Sequence, residues 1–166
     1  MRRAFIFASC AVVLLALALT ALRFFGPLYW GRNDVATADE LQKQWLQDKT
    51  NPRPLHDLAR RAQSSVLLTK VNALATFRVL AEREGNNVST NFLVVALPTL
   101  IGALNHSDQS VLRAALFGLE ALGGNAAPAQ MAVRNLFKSP DRFVREAATN
   151  CLRNISPVGV NSGSMN

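Results

Sequence analysis

The segment 108–122, DQSVLRAALFGLEAL, decides how this chain folds, because a related segment, DRFVREAATNCLRNI, follows it at 141–155. The two are offset by 33 residues and share their aspartate, a valine, an alanine pair and a leucine. A fixed period in the thirties is typical of stacked helical repeats. Such stacks usually bind other macromolecules through an extended surface, so the offset predicts a binding protein.

In both segments the apolar residues recur at i, i+4, i+8 and i+11, which places them on one stripe of an α-helix. They are Val111, Ala115, Leu119 and Leu122 in the first segment, and Val144, Ala148, Leu152 and Ile155 in the second. The pattern predicts helices at 109–122 and 142–155, with Asp108 placed to cap the first. One such hairpin cannot bury its own stripe, so neighbouring hairpins must stack to complete the core.

The rest of the chain predicts further helices, at 37–49, 55–63, 66–84, 91–104 and 127–137. Clusters of Pro, Gly and Asn separate them. Thr37 followed by Glu40 fits a capping box at the first of these helices. Pro98 lies inside another and predicts either a bend or a later start of its regular part.

These features resemble the HEAT-repeat family, especially its short bacterial form. The residues that carry the resemblance are Ala96-Leu97-Pro98, Asp108, Val111 and Ala114-Ala115, then Asp141, Val144-Arg145 and Ala147-Ala148. The resemblance implies an all-α chain whose residues 55–156 form a short α-solenoid of about three helical hairpins. It also implies a concave binding side lined by the second helix of each hairpin.

The N-terminal part predicts a membrane segment. Residues 4–22 contain no charged side chain and roughly match the ~30 Å thickness of a bilayer core. Arg2 and Arg3 precede this run and predict a cytoplasmic N-terminus, and aromatic residues follow it. We expect a signal anchor that leaves the repeat domain extracytoplasmic, as in a bacterial inner membrane and periplasm. The motif Ala16-Leu17-Ala18 keeps open a cleaved signal and a secreted protein.

The predicted organisation therefore has four parts. They are the anchor at 1–25, a juxtamembrane linker with a short helix at 26–54, the repeat domain at 55–156 and a disordered tail at 157–166.

Charge does not favour a nucleic-acid partner. The net charge is +7, but beyond residue 31 the chain has 15 basic and 11 acidic residues, which is a mildly basic surface. Cys10 lies in the apolar run and Cys151 in a helical pattern, so no bridge between them is expected and Cys151 predicts a buried thiol.

No residue pattern predicts catalysis, a cofactor or a metal. His56 and His106 fall in different units, and neither is followed by glutamate. We expect a non-catalytic membrane-anchored adaptor that binds a protein partner. The candidate partner-binding residues on the second helices are Arg113, Glu120, Arg142, Glu146 and Arg153. Trp45 either docks its helix onto the domain or anchors a partner. A HEAT-like lyase or accessory enzyme and a basic solenoid that binds nucleic acid are the alternatives.

Overall fold

A computed structural model describes residues 37–85 and 87–156, and within these ranges the chain is all-helical, as predicted. The elements are α1 (37–47), α2 (Arg53–Ala62), α3 (Leu67–Glu84), α4 (Thr90–Ala103), α5 (Gln109–Leu122), a 3₁₀ segment (Gly123–Ala129), α6 (Gln130–Asn135), a 3₁₀ turn (Leu136–Lys138) and α7 (Arg142–Ile155). The predicted helix boundaries hold to within two residues except in the region of α6.

The helices pack in two layers. In one layer α3 lies against α5 and α5 against α7, while α2 and α4 contact each other and cover α3 and α5 from the other side. The helices of the first layer run in the same direction, since Glu82 near the carboxyl end of α3 lines one concavity with Leu122, the last residue of α5. Glu120 and Asn154, near the carboxyl ends of α5 and α7, also meet.

The two helices related by the 33-residue offset are built alike. The Asp108 carboxylate accepts hydrogen bonds from the amides of Ser110 (2.8 Å) and Val111 (3.3 Å), and the Asp141 carboxylate accepts one from Val144 (2.8 Å). These caps satisfy amides that have no partner within the helix. All residues of the two predicted stripes are buried except Leu152, which is only partly buried.

The same two helices differ along one edge. Leu112 and Leu116 are buried on the side of α5 that faces α7, and 33 residues later the matching positions hold Arg145 and Thr149. The Arg145 guanidinium donates instead to the carbonyls of Ser139 (2.7 Å) and Pro140 (2.9 Å). This edge of α7 is therefore more polar than the matching edge of α5.

The helix predicted at 127–137 is wrong in extent. A 3₁₀ segment occupies Gly123–Ala129, and only the six residues of α6 are α-helical before a 3₁₀ turn follows. Gly123 ends α5 at a φ of +55°, which favours glycine. Pro128 has no amide to donate, so a regular helix begins only after it.

Of the two outcomes predicted for Pro98, the later start of the regular helix is wrong. Helix α4 continues from Thr90 to Ala103, and the Ser89 side chain caps it by accepting a hydrogen bond from the amide of Phe92 (3.3 Å). Gly85 terminates α3 at a φ of +61°, as the glycine cap predicts.

The core extends back to the start of the described region. Ala38, Leu41 and Trp45 of α1 are buried within the same hydrophobic cluster as the later helices. The Trp45 ring lies 6.2 Å from that of Phe92, centroid to centroid. The short helix that the sequence places in the linker is therefore packed into the domain.

The predicted anchor at 1–25 and the predicted tail at 157–166 lie outside the described residues. Among the helices of 37–85 and 87–156, none combines the length and the apolar character needed to cross a bilayer.

Candidate interaction face

The layer of α3, α5 and α7 has one side that no other described helix covers. A shallow groove of about 340 Å³ runs across it, lined by Arg78, Glu82, Phe117, Glu120, Ala121 and Asn150. Arg113 and Phe143 each lie seven residues before a groove residue, Glu120 and Asn150 respectively, so helical periodicity places them on the same side. We call this surface, with Arg113, Phe143 and Glu146 included, the α3–α5–α7 face.

An aromatic ring and a guanidinium form the centre of the groove. Cζ of Arg78 lies 5.3 Å from the centroid of the Phe117 ring, and Nε of Arg78 donates to a Glu82 carboxylate oxygen at 2.7 Å. The ring and the carboxylate together hold the guanidinium over Phe117. Even so, the Phe117 side chain is 39% exposed, so it presents apolar surface among charged groups.

A side-chain hydrogen bond links the last two helices of the layer. The Asn154 amide donates to a Glu120 carboxylate oxygen at 2.9 Å across the junction of α5 and α7. Glu120 is half-buried and lines the groove. Of the predicted partner-binding residues, it is the one that the structure places directly in the groove.

The predicted residues of α7 lie to one side of the groove. Arg142 and Glu146 are exposed and form an ion pair at 2.7 Å, and the hydrogen bond to Glu146, with its negative charge, raises the pKa of Arg142. Arg153 is exposed, and at 100° per residue Arg142 and Arg153 point about 60–80° away from Asn150. These two arginines therefore flank the α3–α5–α7 face.

The other two predicted residues differ in their surroundings. Arg113 is half-buried on α5, one turn before Phe117. Trp45 is fully buried against Phe92, which matches the interpretation that it docks α1 onto the domain. Its side chain offers no surface to a partner, so it does not belong to the face.

Sequence reasoning missed the residues at the centre of the face. Arg78 and Phe117 are 39 positions apart and belong to different hairpins, so only packing brings them together. A signal was present for Phe117, because it shares a helical stripe with the charged residues Arg113 and Glu120. An aromatic side chain on a polar stripe indicates an exposed ring.

Cys151 lies beneath this face as a buried free thiol, as the sequence predicts. Burial, together with the charge of Glu120, raises the pKa of Cys151 to about 12. The thiolate is the reactive form, so this cysteine is a packing residue at neutral pH.

Within the described ranges, no three residues among His, Cys, Asp and Glu cluster closely enough to hold a metal ion. Comparison of the chain with known proteins finds no matching family model, curated protein or solved structure.

Proposed function

We propose that this chain is a membrane-anchored, non-catalytic adaptor that binds a protein partner through the α3–α5–α7 face of a short HEAT-like α-solenoid. The observation that carries the proposal is the exposure of two aromatic rings on that face, 39% for Phe117 and 62% for Phe143. Aromatic residues and arginine are enriched at protein interfaces, where they supply most of the binding energy.

The layered packing supports a solenoid-like surface. The second helices of three successive hairpins, α3, α5 and α7, lie side by side, and the extensive contacts within the layer join α3 to α5 and α5 to α7. Such a row offers roughly 800 Å² to a partner, about one side of an ordinary interface. The mixed charges of Arg78, Glu82 and Glu120 around Phe117 give that area polar specificity.

The proposed anchor at 4–22 gives the adaptor its location. Held in the membrane with the N-terminus cytoplasmic, it would confine the helical domain to the extracytoplasmic surface. Confinement raises the effective concentration of the face toward a partner in the same membrane or envelope.

The test is a crosslinking pull-down of the full-length protein from its native membrane. One variant carries Phe117→Ala and Phe143→Ala, and a second reverses the charges of Arg113, Arg142 and Arg153. The matched control carries Val94→Ala and Met131→Ala, two exposed apolar residues of α4 and α6 that lie outside the α3–α5–α7 layer.

We expect the aromatic variant to lose a partner that both the wild type and the Val94/Met131 control retain. The charge reversal should weaken capture of the same partner, because its three arginines lie on or beside the face. An identical set of crosslinked partners from all four proteins would refute the adaptor proposal.

A further inference from the structure

The junction of α2 and α3 exposes three consecutive apolar side chains. Val66, Leu67 and Leu68 are 53%, 45% and 46% exposed. Single exposed apolar residues are ordinary on a protein surface, but a run of three at a corner of the fold forms a small apolar projection. We call these three residues the apolar tip.

Basic residues precede and follow the tip along the chain. From Arg53 to Val71 the sequence has four basic residues and one acidic residue. Arg60 and Arg61 end α2, and Lys70 lies in the first turns of α3. The acidic residue, Asp57, pairs with Arg60 at 2.6 Å. The segment that carries the tip therefore has an excess of basic side chains.

The start of α3 adds to this positive character. Val66 at the N-cap position supplies no side-chain acceptor, and the first turn contains no acidic residue. Aligned peptide dipoles place partial positive charge at a helix N-terminus, and here no side chain of the first turn neutralises it.

A concavity of about 310 Å³ lies beside the tip, between the ends of α2 and α4 and the starts of α3 and α5. Apart from Thr99, its polar lining residues are Gln63, Lys70, Asn105 and His106. Nδ1 of His106 accepts a hydrogen bond from the amide of Asp108 at 3.0 Å, which leaves Nε2 as the donor of the ring. The lining thus offers an ammonium and neutral donors to an anion.

We propose that the apolar tip inserts into the interfacial region of an anionic phospholipid bilayer, with Lys70 and the adjoining concavity binding a headgroup phosphate. Apolar side chains with basic residues around them match the two layers of such a membrane, the acyl boundary and the phosphate plane. The second contact would orient the domain on the membrane that the anchor already occupies.

This inference rests on the proposed function, because it requires the anchor. The chain between the anchor and the domain is also long enough for the tip to reach the bilayer. Residues 23–36 reach at most about 50 Å when extended. Helix α3 is about 27 Å long, so the tether can bring either end of the domain to the bilayer.

The experiment places an environment-sensitive fluorophore at single cysteines of the full chain in a Cys10→Ala background, where Cys151 is buried. The labelled variants are Leu68→Cys in the tip, Val94→Cys on an exposed part of α4 and Leu14→Cys in the anchor. Each is reconstituted into phosphatidylcholine vesicles with or without phosphatidylglycerol. Quenching is measured with nitroxide lipids labelled near the headgroup for positions 68 and 94, and with lipids labelled near the end of the acyl chain for position 14, which lies at the middle of the proposed span.

We expect several-fold stronger quenching at position 68 than at 94 in the anionic vesicles, and a smaller difference in phosphatidylcholine alone. Adding Lys70→Glu to the Leu68→Cys variant should reduce the quenching. A carboxylate near the start of α3 favours the helix, so this loss would not reflect unfolding.

Equal quenching at positions 68 and 94, with position 14 quenched, would overturn the tip proposal and leave the anchor intact. Absence of quenching at both 14 and 68 would overturn the anchor and the tip together. A blue shift at 68 that rises with protein density without lipid quenching would mean that a second copy covers the tip, which also overturns the proposal.

Discussion

Gly118 on α5 approaches Leu100 on α4 so closely that a Cβ added to the glycine would stand 2.6 Å from Cδ2 of the leucine. Leu100 is fully buried, so its side chain has little room to move. The absence of a side chain at Gly118 is what allows the two helices of this hairpin to pack at their observed separation.

Gly118→Ala should therefore destabilise the protein although alanine is the better helix former. The propensity gain is about 1 kcal/mol, whereas overpacking a core costs about 1–3 kcal/mol, so we expect a net loss of up to about 2 kcal/mol. Gly102→Ala is the matched control, since Gly102 is helical and exposed with nothing within 4 Å of its added Cβ. It should gain up to about 1 kcal/mol. Urea unfolding of both variants in mild detergent tests this, and an equal gain from both would contradict it.

A charge on the buried stripe should unfold the stack. Ala115 and Ala148 are fully buried where neighbouring helices meet, so Ala115→Arg or Ala148→Arg would bury an unpaired guanidinium. We expect a loss of about 4 kcal/mol or more, a large part of the stability of a small domain. Thr149→Arg places the same side chain on the exposed edge of α7 and should be nearly neutral. A wild-type melting temperature for Ala115→Arg or for Ala148→Arg would show that the stripe is misassigned.

The ion pair between Lys49 and Glu84 should contribute more than the exposed pairs. Its N–O distance is 2.7 Å, and the Glu84 side chain is only 2% exposed, with its other oxygen accepting from the amide of Ser89. Lys49→Ala would leave a buried carboxylate without its cation. Because Lys49 itself is half-exposed, we expect a loss of about 1 kcal/mol and not the full cost of breaking a buried pair. Arg142→Ala breaks an exposed pair that water and salt screen, so it should cost less than Lys49→Ala. Equal unfolding midpoints for the two variants would count against this difference.

Cys151 should be unreactive until the protein unfolds. Burial raises its pKa to about 12, so at pH 8 the folded protein has far less thiolate than the unfolded chain. In a Cys10→Ala variant we expect reaction with a disulfide reagent to be roughly a hundredfold or more slower in buffer than in denaturant. Rapid labelling of the native protein would contradict the burial.

The same pKa shift has a consequence for stability against pH. The folded state holds the thiol proton more tightly than the unfolded state, so the contribution of Cys151 is fully present below about pH 9 and is lost as the pH rises toward 12. Unfolding free energies across that range should fall less steeply in a Cys151→Ala variant.

Removal of residues 2–22 should yield a soluble, wholly helical protein, because the hydrophobic core of the described residues, from Ala38 to Ile155, lies outside the deleted segment. Circular dichroism of the truncated chain measures this directly. Appreciable strand signal, or a chain that stays insoluble, would refute the prediction.

The described helices were largely predictable because their signals are local. The caps at Asp108 and Asp141 and the stripes that begin at Val111 and Val144 each depend on residues within a few turns, and the boundaries of α5 and α7 match the prediction. The region of α6 was not predictable to the same degree. There the apolar pattern continues through Pro128, but Gly123 ends α5 at a positive φ and Pro128 has no amide to donate, so 3₁₀ turns precede the short α6.

By itself, the sequence determined the all-helical class, the offset that relates α5 to α7 and the burial of their shared stripe apart from Leu152, which is only partly buried. Periodicity and capping are properties of a single segment, so no tertiary information was needed. Only the tertiary structure decided that Arg78 lies over Phe117, that Glu120 binds Asn154 and that Trp45 is buried against Phe92. Each of these contacts joins separate helices, and a helical pattern shows which face is apolar without showing which neighbour will cover it.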